Sequence, residues 1–259
     1  MKNIFVIILM VSGFLSAQNR FQYQVVFKID SLNRDFVQTE LFNLDFADGE
    51  TIFYPATYVK ADSVMERGGR ASSVLNQKID FVVMKNHKTQ EMGFMDMLGM
   101  MRLSTVEPRE LKWKVINETK KVEQYTLQKA MTHFAGREWT AWFSKDVQIQ
   151  DGPYKFKGLP GLVFSVEDSK KDYVFELINI QKIEKPMRLE FFDKLKLKAI
   201  KVDYEKFKKM KQKYQENPEA FFQQLPGFSE MPADELKNII STFVEREKKQ
   251  NNKIELSMN

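Results

Sequence analysis

From Phe21 to about Glu190 the chain mostly repeats with a period of two, and that period confines it to strands. Successive side chains of a strand point to opposite faces, so alternation marks a segment with one face buried. Phe21, Tyr23, Val25, Phe27 and Ile29 alternate with Gln22, Gln24, Lys28 and Asp30. Residues 36–46 and 51–59 read as the next two strands, on either side of the turn signal Asp48-Gly49. Residues 80–85 and 90–98 form a hairpin across Asn86-His87-Lys88. Residues 113–118, 123–133 and 138–143 continue the meander, with Gly136 at a turn, and 162–167 pairs with 173–183 across residues 168–171. Residues 61–76 fit a loop, a short helix or both.

Beyond residue 195 the period changes. Ile200, Tyr204, Phe207, Met210 and Tyr214 share one helical face, which Asn217-Pro218 ends. Pro226-Gly227 marks a turn, and Pro232 suits the first turn of a second helix striped by Leu236, Ile239, Ile240 and Phe243. The polar tail after Glu245 is expected to fray. The predicted architecture is one α+β domain over residues 18–259, β-rich over 21–190 and helical over 195–250. A long curved antiparallel sheet, a meander, is expected with the C-terminal helices on one face.

The first 17 residues read as a cleavable secretory leader. Lys2 precedes an apolar stretch from Ile4 to Leu15, and Ser16-Ala17 offer small residues for cleavage. That stretch falls short of the roughly 20 residues a helix needs to span a bilayer, and no later stretch is long and apolar enough to do so. Export to the periplasm or beyond is the expectation. There is no Cys, which excludes disulfides, a lipidated cysteine, thiol catalysis and cysteine-based zinc sites. Stability has to come from the core, and 43% hydrophobic residues with 22 Phe supply one. The net charge of +5 is modest, and much of it is local. The run 194–213 holds nine Lys against Asp203 and Glu205, which fits a solvated helix face or attraction to an acidic envelope surface. Nucleic acid is not an expected partner of an exported chain.

Residues 151–162 hold three Gly and two Pro, in a chain with 11 Gly and 8 Pro. Such density between two strands demands a specific backbone path. Trp113, Lys129-Ala130, Gly136-Arg137, Trp142-Phe143, Gly152-Pro153-Tyr154-Lys155-Phe156 and Gly158-Leu159-Pro160-Gly161-Leu162 follow in order. In sequence and spacing they resemble the signature of the GLPGLI family of bacterial envelope proteins. The resemblance covers roughly a quarter of the chain and implies secretion into the envelope of a Bacteroidetes-type bacterium. It brings no assigned activity and no catalytic residues. Relatives often carry a Cys in the strand before the Lys-Ala pair, where this chain reads Tyr125-Thr126-Leu127-Gln128. The expected architecture also resembles lipoprotein carriers of the LolA/LolB type, which hold acyl chains in a concave sheet face. That likeness rests on architecture alone.

Motifs for catalysis are thin. His87 and His133 are the two histidines, on a hairpin tip and late in a strand, and no nucleophile elbow, zinc-protease helix or phosphate loop is present. Asp146, Asp151, Glu167 and Asp168 gather near the Gly-Pro segment, as turn formers or as an acid pair. Met92, Met95, Met97 and Met100 have thioether spacings that suit Cu(I), against a pliable apolar lining. Trp139 and Trp142 should face opposite sides of a strand. Arg137 could clamp an anion or make a local salt bridge. Gly152, Pro153, Gly158, Pro160 and Gly161 read as a structural turn. Arg137, Trp142, Tyr154, Phe156, Leu159 and Pro160 are the candidates for touching a ligand or partner if their side chains face solvent. These features call for no cofactor. The expected role is a non-enzymatic binding or accessory protein for a lipid, lipoprotein or outer-membrane partner. The alternatives are carboxylate or Ser hydrolysis near the Gly-Pro segment, and copper binding by Met.

Overall fold

A computed structural model describes residues 18–183, 190–225, 228 and 231–258. The leader expected over residues 1–17 and the turn at 226–227 lie outside them. The chain forms one sheet of twelve strands, antiparallel except at one edge. Six strands meander in one direction: β1 (Gln18–Phe27), β2 (Gln38–Ala47), β3 (Glu50–Pro55), β4 (Phe81–Asn86), β5 (Met92–Leu98) and β6 (Met101–Val106). Five return from the far edge: β7 (Lys114–Val122), β8 (Tyr125–Phe134), β9 (Arg137–Ser144), β10 (Leu162–Asp168) and β11 (Tyr173–Ile183). β11 pairs with β1 and joins the two meanders. The two-residue β12 (Ile200–Lys201) lies parallel to β6.

Connectivity forces this sheet to curl. β6 is second and β7 twelfth in the strand order, so in a flat sheet they would stand about 48 Å apart. Only residues 107–113 join them, a reach of at most about 28 Å. Lys112, within that link, accepts a hydrogen bond from Thr132 of β8 through its carbonyl. The curl leaves a concave face that must be filled.

Alternation decides what fills it. Phe21, Tyr23, Val25 and Phe27 of β1, with Phe42 and Leu44 of β2 and Phe53 of β3, are buried on the concave face. Three helices pack there: α3 (Tyr204–Glu216), α4 (Pro218–Gln223) and α5 (Ala233–Lys249). The opposite face of β3–β5 buries Tyr54, Val82 and Met95 under two other helices, α1 (Thr57–Glu66) and α2 (Glu190–Lys198). Helices therefore cover both faces, not one as expected.

Other expectations shift locally. The strand read over 51–59 stops at Pro55, and Tyr58 and Val59 open α1. β6 and α2 were not anticipated. Ile200 belongs to β12, and α3 begins at Tyr204 behind the Asp203 cap, which accepts from the Lys206 amide at 2.8 Å. The tail beyond Glu245 does not fray. α5 continues to Lys249, and Asn252 and Glu255 are buried.

Candidate functional site around the Gly-Pro segment

β9 and β10 are antiparallel neighbours, which a hairpin loop of two to five residues can join. Here residues 145–161 join them, and the excess length folds into the concave face. Tyr154, Phe156 and Leu159 are buried in the main core. The Tyr154 ring lies 4.9 Å from Phe81, and Phe156 lies 4.7 Å from Trp139. Trp113 donates its indole N–H to the Lys157 carbonyl at 2.9 Å. Three of the candidate contact residues thus form a plug facing inward. Within residues 151–162 only Gly158 and Pro160 are exposed.

The glycines answer to this packing. A Cβ on Gly161 (φ +148°) would stand 2.0 Å from the Ser144 carbonyl oxygen, and one on Gly152 would stand 2.6 Å from that of Phe156. The Gly161 amide donates to the Leu159 carbonyl at 2.8 Å, closing a three-residue turn over Pro160.

Beneath the plug lies a buried ion cluster. Lys155 Nζ stands 2.6 Å from both Glu107 Oε2 and Glu255 Oε1. Arg109 reaches Glu107 at 2.8 Å and Glu255 at 3.0 Å. The Tyr154 hydroxyl donates to Glu255 at 2.7 Å, and Lys155 Nζ sits 3.8 Å from the Phe94 ring centre. Burial alone would push the Glu255 carboxyl up, but Lys155, Arg109 and Lys211 outweigh it and hold it at about 2. Glu107 is likewise held below its ordinary range by Arg109 and Lys155, against its burial.

Arg137 makes the second cluster, also internal. Its guanidinium pairs with Asp168 at 2.9 Å and Asp172 at 3.3 Å. It also donates to the Ile254 and Lys253 carbonyls and to the Asn252 side chain. The anion clamp is thus a clasp for the C-terminal tail. Sequence reasoning missed Glu107, Arg109, Lys155, Asn252 and Glu255, because they are separated along the chain and each looks like a solvated polar or charged residue.

The third cluster holds the only buried contact of a described histidine with an acid. His87 Nε2 lies 3.1 Å from Asp151 Oδ2 and 3.3 Å from Thr51 Oγ1. Thr51 donates to Asp151 directly, and Lys85 reaches the same carboxylate at 2.5 Å. A catalytic triad needs the imidazole between nucleophile and acid, one ring nitrogen to each. Here one nitrogen faces both, and Thr51 and Asp151 are closed to solvent. Burial would raise the Asp151 carboxyl, but Lys85 and the hydrogen bonds from His87 and Thr51 bring it below its ordinary value. The remaining carboxylates do not converge. Asp146 accepts from the Thr126 amide and the Ser144 hydroxyl, and Asp168 holds Arg137. Glu167 faces outward beside Lys171. His133 is exposed, opposite Glu138.

Met92 packs in the concave core and Met95 in the core of the opposite face, so this pair straddles the sheet. Met97 is half-buried and Met100 exposed. Among the described residues no cluster of His, Asp or Glu could hold a metal ion. Trp139 is buried and Trp142 lies on the other face, half-buried, with Lys120 Nζ 4.3 Å and Lys129 Nζ 5.7 Å from its ring centre.

No protein-family model and no curated protein matches this chain. Among solved structures it is similar to PNGF-II in two crystal forms. One superposes with a TM-score of 0.56 at 16% identity over 77% of this chain and 34% of that one. The other gives 0.52 at 14% identity over 88% and 33%. The chain spans about a third of PNGF-II, and what the two share is the fold.

Proposed function

We propose that this chain is an exported, non-catalytic envelope protein of the GLPGLI family, serving as a binding or accessory protein for a lipid, lipoprotein or outer-membrane partner. The observation that carries this reading is the fate of the site's charges. Lys155, Glu107, Glu255, Arg137, Asp151 and Lys85 are each buried and each neutralised by a partner within the fold. Reactive groups need access to substrate and a protonation state poised for transfer. These groups are closed to substrate, so function is left to the outer surface.

The LolA/LolB-type alternative, an acyl chain held in the concave face, has less support. The recess there, lined by Phe81, Phe94, Asp96, Tyr154 and Lys211, measures about 110 Å³, against roughly 300–1,000 Å³ for ordinary ligand pockets. Among the described residues the His87–Asp151 cluster has Thr51 and Asp151 closed to solvent, and Met92 and Met95 lie on opposite faces of the sheet, so hydrolysis and copper binding have less support.

The test is turnover. The mature protein, incubated with chromogenic esters, phosphate monoesters, glycosides and peptides, is expected to give no product above buffer. Turnover that vanishes in His87→Gln at an unchanged melting temperature would refute the reading.

A further inference from the structure

The lysine run 194–213 divides in two. On α3, Lys211 pairs with Asp96 at 2.8 Å and Lys208 with Glu205 at 3.2 Å, while Phe207 and Tyr214 seat the helix on the core. That half is an ordinary amphipathic helix. α2 and β12 are different. Phe191, Phe192 and Leu195 fill the inward side of α2, yet Leu197 is 86% exposed and Ile200 is 48% exposed. Lys196, Lys198 and Lys201 are exposed around them, and among the described residues none has an ion-pair partner.

The apolar surface continues onto the neighbouring strand. A recess of about 560 Å³ runs beside β6, floored by Ile52, Met84, Val106 and Phe192, with Lys196 and Lys201 on its rim. Val106 is itself exposed. The acidic groups nearby are Asp193 on α2 and Glu50 and Glu91 on the opposite rim. A leucine protruding among lysines, with Ile200 and Val106 exposed beside it, is not a packing arrangement. It is instead the arrangement that seats a peripheral protein on a charged bilayer, with the side chain entering the headgroup boundary and the ammonium groups at its phosphates.

We propose that the α2–β12 edge docks this protein on an anionic phospholipid surface, with Leu197 inserted and Lys196, Lys198 and Lys201 against the phosphate oxygens. Charge complementarity selects this occupant over a neutral bilayer, and Leu197, protruding among lysines, suits insertion at a headgroup boundary. The proposal deepens the envelope reading above and rests on it.

The full mature chain is co-sedimented with vesicles of phosphatidylcholine alone and of phosphatidylcholine with phosphatidylglycerol, at low and high salt. Binding is expected only to the anionic vesicles and should weaken with salt. Replacing the three lysines together (Lys196→Gln, Lys198→Gln, Lys201→Gln) should weaken it ~100-fold, at about fivefold each. Leu197→Ser should weaken it roughly tenfold while keeping the salt dependence. All four side chains are exposed, so these variants should fold as the parent does. Equal binding to neutral vesicles, no binding, or indifference to the triple change would overturn the proposal. So would binding to polyglutamate without binding to vesicles, which would assign the surface to an acidic protein. Each of those outcomes leaves the turnover test untouched, so this proposal can fail while the non-catalytic reading stands.

Discussion

Glu255 shows how a single side chain ties the tail to the plug. It accepts from Tyr154 and Lys155, the two residues at the centre of the Gly-Pro segment, and from Arg109 on the link between the two meanders. Its carboxyl falls from 4.5 to about 2 on folding. A carboxyl depressed in this way contributes stability above its unfolded value and loses it as pH falls through the folded one. Glu255 should therefore contribute about 3 kcal/mol to urea stability that is present above about pH 5 and lost between roughly pH 4.5 and 2. In Glu255→Gln the acid-dependent loss should shrink by about that amount, leaving the part owed to Glu107 and Asp151, and the variant should be less stable than the parent at neutral pH. An unchanged acid slope in the variant would place the loss elsewhere. None of this was legible from the residues themselves. Lys155 and Glu255 are exposed types by habit, and only the fold reveals that they are buried together.

Strands were legible because alternation is a local property. β1, β2, β8, β9, β10 and β11 fall close to where the period placed them. Only the first turn of α1 was read as strand, because Tyr58 and Val59 favour strands, while in the fold Tyr58 is held by Phe191 at 4.9 Å, a contact across more than a hundred residues. β6 escaped notice because only Leu103 and Thr105 of its six residues are buried. The Gly-Pro segment was recognisable as a backbone device, but its inward direction was not, since turn chemistry does not say which way a loop folds. Its two later glycines should separate in an alanine test. Gly158 has φ +94° and open space, with Trp113 Cδ1 4.0 Å from where a methyl would stand, so Gly158→Ala should cost about 1–2 kcal/mol of backbone strain. Gly161→Ala adds a clash with the Ser144 carbonyl and should cost clearly more in the same urea titration. Equal costs would show that the turn relaxes freely.

The curled sheet, its plug and the C-terminal tail close on one another as a unit. The link 107–113 brings Glu107 and Arg109 across the open side, and residues 145–161 fill the concavity. The tail then crosses both, with the Asn252 amide bound to the Ile29 carbonyl and the Leu256 and Ser257 amides to that of Ala135. Alternation foretold a sheet but not its closure, because curvature follows from how far a short link must reach. The Gly-Pro segment thus serves this closure. Hydrogen exchange of the Asn252, Leu256 and Ser257 amides puts that conclusion to the test, in the parent and in Lys155→Met, which leaves Arg109 as the remaining direct ion-pair partner of Glu107 and Glu255. In the parent these amides are expected to exchange only through global unfolding, as the β1 amides do. In Lys155→Met the tail and the sheet should lose protection together, by about 3–5 kcal/mol. Tail amides that exchange rapidly in the parent, or that ignore the substitution, would contradict it.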